Sequence, residues 1–293
     1  MPELPEVETV RRNLESAVVG RTIEQCRLSG KKLRARITSG LAERIRRRRV
    51  VNVRRHGKYL LIGLDGGLSL ISHLGMSGRW LFYADPPARV LPHVHARIRH
   101  TDGTELWFQD PRRFGVLRLA HTERLASDPA LRLLGPDPIA TPPTGTGLHA
   151  LARGTRVAVK NFLLDQRRIA GIGNIYASEI LHRAAVDPRR RAGTVSQAEW
   201  TAIAREIVAV LGEAIARMGT TFDMYRTLWN EPGTYGDQLL VYDRAGEPCR
   251  ACGRPIRRIV QGQRSTFYCP SCQRRGGRAR GPQIVVARGT PDP

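Results

Sequence analysis

Long apolar runs are missing from this sequence. No apolar stretch in its 293 residues approaches the roughly 18 residues of a membrane-spanning helix. The first residues also lack the basic start and apolar segment of a signal peptide. We therefore expect a cytoplasmic protein that has no membrane partner.

Acidic residues are also scarce. The chain has 26 Asp and Glu against 48 Lys and Arg, so its formal net charge is +22. Such an excess predicts a polyanionic partner, and nucleic acid is the first candidate because clustered cations release counterions from its phosphates. A soluble enzyme that is basic for another reason is the alternative.

Lysine is the rarest basic residue, with only Lys31, Lys32, Lys58 and Lys160 in the chain. An amine can transfer a proton near neutral pH once its pKa is lowered, whereas a guanidinium cannot. Each lysine is therefore a candidate for chemistry that the many arginines cannot perform.

Cysteine is infrequent, but four of the five cysteines form a pattern. Cys249 and Cys252 are separated by two residues, sixteen residues follow, and Cys269 and Cys272 repeat the spacing. This pattern predicts a zinc site with four thiolate ligands. Disulfides are the alternative, which the tight spacing and the expected cytoplasmic location disfavour. The fifth, Cys26, falls in a predicted strand, and we expect it to be buried and without a role.

The N-terminus combines an unusual amine with acidic residues. Trimming of Met1 before a small residue would leave Pro2 with a free secondary amine. An α-amino group titrates roughly near pH 8, so part of it is unprotonated and nucleophilic at neutral pH. A helical pattern follows from Pro5, so the amine would lie beside the positive end of a helix dipole. Glu3 and Glu6 would be within reach for proton transfer, although an ordinary capped amphipathic helix has the same acidic start.

Short β-branched runs separated by Gly, Asp and Pro follow this helix. Their spacing of roughly ten residues is typical of a β-sandwich or barrel. Between the first two runs, the arginines at 44 to 49 are interpreted as a solvated basic surface, with a specific phosphate contact as the alternative. The predicted strands are Thr22–Leu28, Val50–Arg54, Tyr59–Leu64, Leu68–His73, Trp80–Tyr83, Val94–His100, Glu105–Gln109 and Val116–Leu119.

From about residue 123 the pattern becomes helical. Residues 142–147 read as a linker, and Ser196–Met218 is the longest predicted helix. The stretches Asn161–Gln166 and Ile169–Glu179 predict two helices joined by a glycine-containing turn. Backbone N–H groups at such a helix start can hold a phosphate. The basic, glutamine-rich segment between the two cysteine pairs predicts a β-hairpin lying against DNA.

Several of these stretches resemble the formamidopyrimidine-DNA glycosylase family of base excision repair. They are Met1–Glu8, His73–Gly78, Asp110–Gly115, Ile169–Glu179 and Gln263–Gln273. The resemblance covers about residues 1–273. It implies an α+β multidomain fold with an N-terminal helix and two-sheet β-sandwich, a helix-two-turns-helix domain, and a C-terminal four-cysteine zinc finger hairpin. The implied boundaries are 1–134 for the catalytic sandwich, 135–234 for the helical domain with its lesion-capping loop, 235–273 for the finger, and 274–293 for a basic disordered tail.

The resemblance also implies the catalytic residues. In this family the terminal proline attacks the sugar of a damaged nucleotide, so Pro2 would be the nucleophile. Glu3 would protonate the opening sugar, with Glu6 close by. Lys58 would contact the lesion phosphate and transfer a proton during strand cleavage. Arg264 would bind the lesion phosphates and assist the last elimination.

The resemblance to this family also implies a set of DNA contacts. Met76 and Phe114 would fill and wedge the duplex after the nucleotide has flipped out, and Arg112 would pair with the widowed base. Packing of Met76 and Phe114 in the core is the alternative for these two residues. The remaining implied contacts are His93, Arg156, Lys160 and Asn174, of which Asn174 would bind a phosphate flanking the lesion.

The expected function is a bifunctional glycosylase and apurinic-site lyase. It would excise 8-oxoguanine opposite cytosine and formamidopyrimidines through a Pro2 Schiff base, and cut the strand by β,δ-elimination. We expect one structural Zn²⁺, duplex DNA with oxidised bases as partner, a monomer, and a bacterial nucleoid location. Leu228-Trp229-Asn230 depart from the smaller polar residues expected in the lesion-capping loop, which makes the base specificity less certain. The alternatives are an endonuclease VIII-like enzyme for oxidised pyrimidines and a catalytically silent zinc-containing DNA-binding protein.

Overall fold

A computed structural model describes residues 1–221 and 225–274. In these residues no helix is both long and apolar enough to cross a membrane. The chain divides into two compact units. The first contains residues 1–141, 166–172 and 211–238, and the second contains 142–165, 173–210 and the described residues from 239 onward. The four-part division expected from the sequence stays a prediction, and its tail after residue 274 lies outside the described residues.

The first unit opens with helix α1, Leu4–Val18, and continues into two four-stranded antiparallel sheets. One sheet has the strand order β1-β6-β7-β5 and the other β2-β3-β4-β8. The strands are β1 Ile23–Leu28, β2 Val50–His56, β3 Tyr59–Leu64, β4 Leu68–His73, β5 Arg79–Tyr83, β6 Val94–His100, β7 Glu105–Gln109 and β8 Val116–His121. All eight predicted strands are confirmed.

A single apolar core joins these elements. It contains Val10 and Leu14 of α1 together with Ile62 of one sheet and Phe108 of the other, all buried. The two sheets therefore pack through their apolar faces as a sandwich, with α1 against the same core. The predicted fold class is confirmed in this unit.

In this unit, one helix was not predicted and one prediction needs correction. Helix α2, Leu41–Ile45, was not predicted, because five residues are too few for a helical period to be recognised. The helical pattern after residue 123 yields a 3₁₀ helix at Thr122–Ser127 and then turns, since the apolar positions at Leu131–Leu134 are too short a run to continue a helix.

The second unit contains α3 Gly145–Ala152, α4 Val159–Leu164, α5 Asn174–Arg183 and most of α6, Gln197–Ala216. Helix α3 begins inside the predicted linker at 142–147 because the Thr144 side chain caps it, accepting a hydrogen bond from the Gly147 N–H at 3.0 Å. Strands β9 Arg257–Gln261 and β10 Arg264–Tyr268 form the predicted hairpin. Its two-residue turn, Gly262 and Gln263, has φ of 53° and 62°, the left-handed geometry of a type I′ turn.

Candidate active site

The start of α1 fixes the position of Pro2. The Leu4 N–H donates to the Gly171 carbonyl at 3.1 Å, and the Glu3 N–H donates to Glu6 Oε2 at 2.7 Å. Pro2 and Glu3 are both buried. The residue that would carry the nucleophile therefore lies immediately before a backbone held by two hydrogen bonds.

Lys58 reaches the same loop. Its side chain is buried, and Nζ donates to the Ile172 carbonyl at 3.1 Å. Since Gly171 and Ile172 are consecutive, the loop that binds the α1 start also binds the lysine amine. Gln166 braces the loop, accepting from the Gly171 N–H and donating to the Ile172 carbonyl, both at 2.8 Å. The sequence placed Gln166 in a helical stretch and gave no signal of this role.

A buried ion-pair cluster supports the turn before Lys58. Arg55 binds Glu8 Oε2 at 2.9 Å and also pairs with Asp137. Asp137 accepts a further hydrogen bond from the Gly57 N–H at 2.8 Å. Gly57 itself has φ of 56°, a conformation that favours glycine. The cluster connects α1, β2 and the segment after β8, and no local sequence pattern marks it.

Glu6 connects α1 to the segment after α6. One carboxylate oxygen accepts from the Glu3 N–H and the other from the Thr220 N–H, each at 2.7 Å. Both oxygens thus bind backbone N–H groups of this unit. The proton-transfer role predicted for Glu6 stays a prediction, while these contacts suit a residue that positions the N-terminal segment.

We expect Glu6→Gln to destabilise the first unit by about 1–3 kcal/mol, because the amide NH₂ cannot accept and one buried N–H loses its partner. Urea unfolding would measure the change. Glu15→Gln, on the exposed side of α1, is the matched control and should change stability by less than about 0.5 kcal/mol. Equal stability of the two variants would contradict the positioning role.

Met76, Phe114 and Arg112, here called the insertion residues, lie on two turns that contact each other, His73–Gly78 and Asp110–Gly115. Met76 and Phe114 are both exposed, which rules out the core alternative for them. The Arg112 guanidinium lies 5.0 Å from the Phe114 ring centre. A Cβ atom on Gly75, whose φ is 63°, would come within 2.5 Å of the Phe114 backbone. The two turns can therefore approach this closely only with glycine at position 75.

Asp110 holds these turns in register. Its two carboxylate oxygens accept from the Ser77 hydroxyl at 2.6 Å and the Gly115 N–H at 2.7 Å. The Asp110 N–H donates to the His93 carbonyl at 2.9 Å. His93 is exposed with φ of 64°. The structure thus brings His93 together with the turns that carry the three insertion residues.

His73 begins the first of these turns and is buried. Its Nδ1 accepts from the Gly75 N–H at 2.9 Å, and its ring centre lies 4.6 Å from that of Tyr59. Burial, with the positive charges of Lys58 and Arg34, lowers the pKa of His73 to about 4. The imidazole is therefore neutral at physiological pH.

This shift predicts acid sensitivity. In the unfolded chain His73 is protonated below a pKa of about 6.5, whereas in the folded protein it stays neutral down to about pH 4. The folded protein therefore loses stability as the pH drops from about 6.5 to about 4. The loss should reach roughly 2–3 kcal/mol at about pH 4.5. His73→Asn keeps an acceptor for the Gly75 N–H but does not titrate there. Urea unfolding should show a smaller acid loss for this variant, and parallel curves would contradict the assignment.

In the second unit, two predicted DNA contacts converge on β10. Asn174, the first residue of α5, donates from Nδ2 to the Ser265 carbonyl at 2.9 Å. Lys160 donates to the same carbonyl at 2.9 Å and to Thr266 Oγ1 at 2.7 Å. Ser265 follows Arg264, whose side chain is exposed. Both side chains therefore position the strand that presents Arg264.

Lys160 is completely buried. In this geometry its ammonium holds β10, and a direct phosphate contact, which stays a prediction, would require it to leave these partners. Arg156 lies exposed in the loop before α4, where it is available to a ligand.

The four predicted zinc ligands form one cluster. The sulfur atoms of Cys249, Cys252, Cys269 and Cys272 all lie within 4.8 Å of one another. The Cys249–Cys272 and Cys252–Cys269 distances are 3.9 and 3.5 Å, near the roughly 3.8 Å edge of a tetrahedron with Zn–S bonds of about 2.3 Å. Disulfide bonds, at about 2.05 Å, are excluded. The residues fit one structural Zn²⁺ in a closed shell, as predicted. Cys26 is buried in β1, where burial raises the pKa of its thiol to about 12.

Three family models match successive parts of the chain. They are the formamidopyrimidine-DNA glycosylase N-terminal domain over residues 1–117, the H2TH domain of the same enzymes over 134–225, and the zinc finger found in FPG and IleRS over 246–275. The formamidopyrimidine-DNA glycosylase of Burkholderia cenocepacia is 46% identical over 282 residues, covering 94% of this chain and 100% of its own. The enzyme of Methylococcus capsulatus is 44% identical with the same coverage.

The chain belongs to the formamidopyrimidine-DNA glycosylase family. The crystal structure of the MutM (Fpg) protein from Thermus thermophilus is similar with a TM-score of 0.84 and 38% identity, covering 94% of this chain and 100% of the other. A Lactococcus lactis Fpg mutant bound to Fapy-dG-containing DNA has a TM-score of 0.85 at 30% identity, with 93% and 99% covered. Membership confirms the enzyme class predicted from the sequence, a base-excision-repair DNA glycosylase for oxidised purines with the family's apurinic-site lyase activity.

The loop between Thr220 and Thr234 contains the three residues, Leu228, Trp229 and Asn230, that the sequence analysis singled out. The two threonines pair as an isolated antiparallel bridge, and residues 222–224 lie outside the described residues. Leu228 is buried in the core of the first unit. Trp229 packs edge-on against Phe82, with ring centres 5.7 Å apart. The two large side chains of this loop, Leu228 and Trp229, therefore pack against the sandwich.

Proposed function

We propose that this protein excises oxidised purines from duplex DNA with Pro2 as nucleophile, acting as a monomer in the bacterial cytoplasm at the nucleoid. The observation that carries this proposal is the loop that α1 and Lys58 share. The Gly171 carbonyl accepts from the Leu4 N–H of α1, and the Ile172 carbonyl accepts from the Lys58 amine. The backbone two residues after the proposed nucleophile and the amine proposed for proton transfer thus bind adjacent carbonyl groups. The proposed domain boundaries are those expected from the sequence.

The chemistry follows from an unprotonated Pro2 amine. Its nitrogen attacks C1′ of the flipped nucleotide, and Glu3 delivers a proton to the sugar ring oxygen as the ring opens. The damaged base leaves with the C1′–N bond electrons, and the proton that the amine nitrogen loses neutralises it. The nitrogen is then part of a cationic Schiff base, which makes the C2′ proton acidic. Removal of that proton expels the 3′ phosphate, and a second elimination, assisted by Arg264, expels the 5′ phosphate.

The DNA contacts divide into two groups. Met76 and Phe114 fill the space left by the flipped nucleotide, and Arg112 faces the widowed base. His93, Arg156, Asn174 and Arg264 face phosphates, while Lys58 contacts the lesion phosphate and transfers a proton during elimination. We assign Lys160 to this group through its hold on β10.

Borohydride trapping tests the mechanism. Borohydride added during the reaction reduces the Schiff base to a stable amine, so protein should become crosslinked to 8-oxoguanine DNA through residue 2. Digestion and mass spectrometry would identify the trapped peptide. Crosslinking through Lys58, or no crosslink with an active preparation, would refute Pro2 as the nucleophile.

Substrate competition tests the choice of lesion. Structural neighbours include MutM with carbocyclic 8-oxo-G DNA and a Lactococcus lactis Fpg with oxidised-pyrimidine DNA, so both classes belong in the test. We expect faster cleavage of 8-oxoguanine opposite cytosine than of thymine glycol in duplexes of one sequence. Thymine glycol cleavage that is about tenfold faster would place the protein with the endonuclease VIII-like enzymes instead.

Because Arg264 is assigned to a phosphate and Arg112 to a base, their substitution should change DNA binding in different ways. Arg264→Ala should weaken binding to damaged and undamaged DNA alike and reduce the slope of log K against log salt by about 0.9. Arg112→Ala should chiefly reduce the preference for the opposite base. Anisotropy titrations at several salt concentrations with each opposite base would measure both effects. Small and equal effects would indicate a diffuse basic surface in which no single contact dominates.

A further inference from the structure

Helix α5 carries a histidine that the proposed function does not use. His182 lies near the C-terminal end of α5 and is buried, with 1% of its surface exposed. Its Nε2 lies 3.6 Å from the sulfur of Cys249, which is itself 2% exposed. A histidine outside the four-cysteine pattern is therefore in contact with a zinc ligand.

The tautomer of His182 follows from its surroundings. Nδ1 is buried and has no hydrogen-bond partner within residues 1–221 and 225–274. A hydrogen on Nδ1 would be a buried donor without an acceptor, and Nε2 would then direct a lone pair at sulfur. A hydrogen on Nε2 instead gives the single N–H of the neutral ring an acceptor, the sulfur of Cys249. Cys249 Sγ therefore accepts the hydrogen bond.

The bond also meets an electrostatic need. Four thiolates around one Zn²⁺ carry a net charge of −2, and a buried anion is costly unless donors compensate it. Hydrogen bonds to an ionised acceptor are stronger than those between neutral groups. Groups that hydrogen-bond to metal ligands orient them, and their loss typically lowers metal affinity by about 10–100-fold.

Glu179, one turn earlier on α5, binds the segment that leads to the first cysteine pair. Its buried carboxylate accepts from the N–H groups of Leu240, Val241 and Tyr242 at 2.8, 3.0 and 2.8 Å. Residues three apart on a helix share a face, so one face of α5 holds both the segment leading to the first cysteine pair and Cys249 itself.

We propose that His182 is a positioning residue of the zinc site, which donates from Nε2 to the Cys249 thiolate and slows the loss of zinc. The helical domain then contributes directly to zinc retention in the finger. This role is independent of the glycosylase mechanism, and its test does not depend on cleavage.

The test compares three variants of the full-length, zinc-loaded protein. His182→Phe keeps the ring volume but has no N–H, and His182→Gln retains a side-chain N–H donor. Ile180→Val, buried on the same helix, controls for general loosening. Zinc release to a chromogenic chelator should be about 10–100-fold faster for His182→Phe, intermediate for His182→Gln, and close to wild type for Ile180→Val.

Cobalt substitution separates the hydrogen bond from packing. A hydrogen bond stabilises the sulfur lone pairs, so its loss should shift the sulfur-to-cobalt charge-transfer band of His182→Phe to lower energy, while Ile180→Val should not shift it. Zinc release from His182→Phe at the Ile180→Val rate would overturn the proposal. Faster release with an unshifted band would also overturn it, because packing alone would then explain the change.

Discussion

One extra residue before Pro2 is expected to abolish strand cleavage and leave DNA binding intact. The extension converts the Pro2 amine into an amide, whose nitrogen is not nucleophilic. The backbone cannot slide to present the new terminus, because Glu3 and Leu4 are held by hydrogen bonds to Glu6 and Gly171. We expect single-turnover cleavage of an 8-oxoguanine duplex to fall by on the order of 10³-fold or more, as is usual when a nucleophile is lost.

A matched control keeps an amine at the same position. Pro2→Ala, after removal of Met1, would have a primary amine there and should still form a borohydride-trapped crosslink, although with altered kinetics. Anisotropy titrations would confirm that both variants bind damaged DNA. Cleavage by the extended variant at the wild-type rate would support the catalytically silent alternative, in which the terminus has no chemical role.

The strands were predictable because their physical signal is local. The bounds of β3, β4, β6 and β7 agree with the prediction residue by residue, since alternating or continuous apolar runs end at glycine- or aspartate-containing turns. Strands β2, β5 and β8 extend one or two residues beyond the prediction, where polar ends such as His56 and His121 continue the backbone pairing, and β1 begins one residue later than predicted. Those polar residues continue the strand by backbone hydrogen bonds, but they lack the apolar pattern from which a strand is predicted.

The supporting contacts of the site were not predictable in the same way. Arg55 and Asp137 are 82 residues apart in sequence, and only the folded sandwich brings them together. Gln166 and Lys160 are polar residues in stretches with a helical pattern. Such a pattern does not indicate which backbone group a side chain will bind. The resemblance to the family supplied the reacting residues, while the residues that hold them in place became visible only in three dimensions.

Loss of one zinc ligand should have the second large effect. The apolar core of the finger is small, formed by Val241, Ile256 and Phe267 around the cysteines, and an isolated two-stranded hairpin such as β9–β10 is at best marginally stable in water. Zinc binding supplies about 10–16 kcal/mol in isolated finger peptides. Cys252→Ser should therefore unfold the finger, misplace Arg264 and abolish both DNA binding and cleavage.

The first unit should remain folded in this variant, because none of its core side chains belongs to the finger. Its buried Trp80 and Trp107 provide a fluorescence signal whose unfolding transition should match that of the wild type. Cys26→Ala, which removes the cysteine outside the metal cluster, should keep zinc and bind DNA normally. Because Pro2, Glu3 and Lys58 all lie in the first unit, the cleavage defect of Cys252→Ser should come from lost binding and from the loss of Arg264 in the second elimination. Full cleavage by a metal-free preparation would therefore show that the finger is dispensable and that Arg264 has no part in holding the lesion.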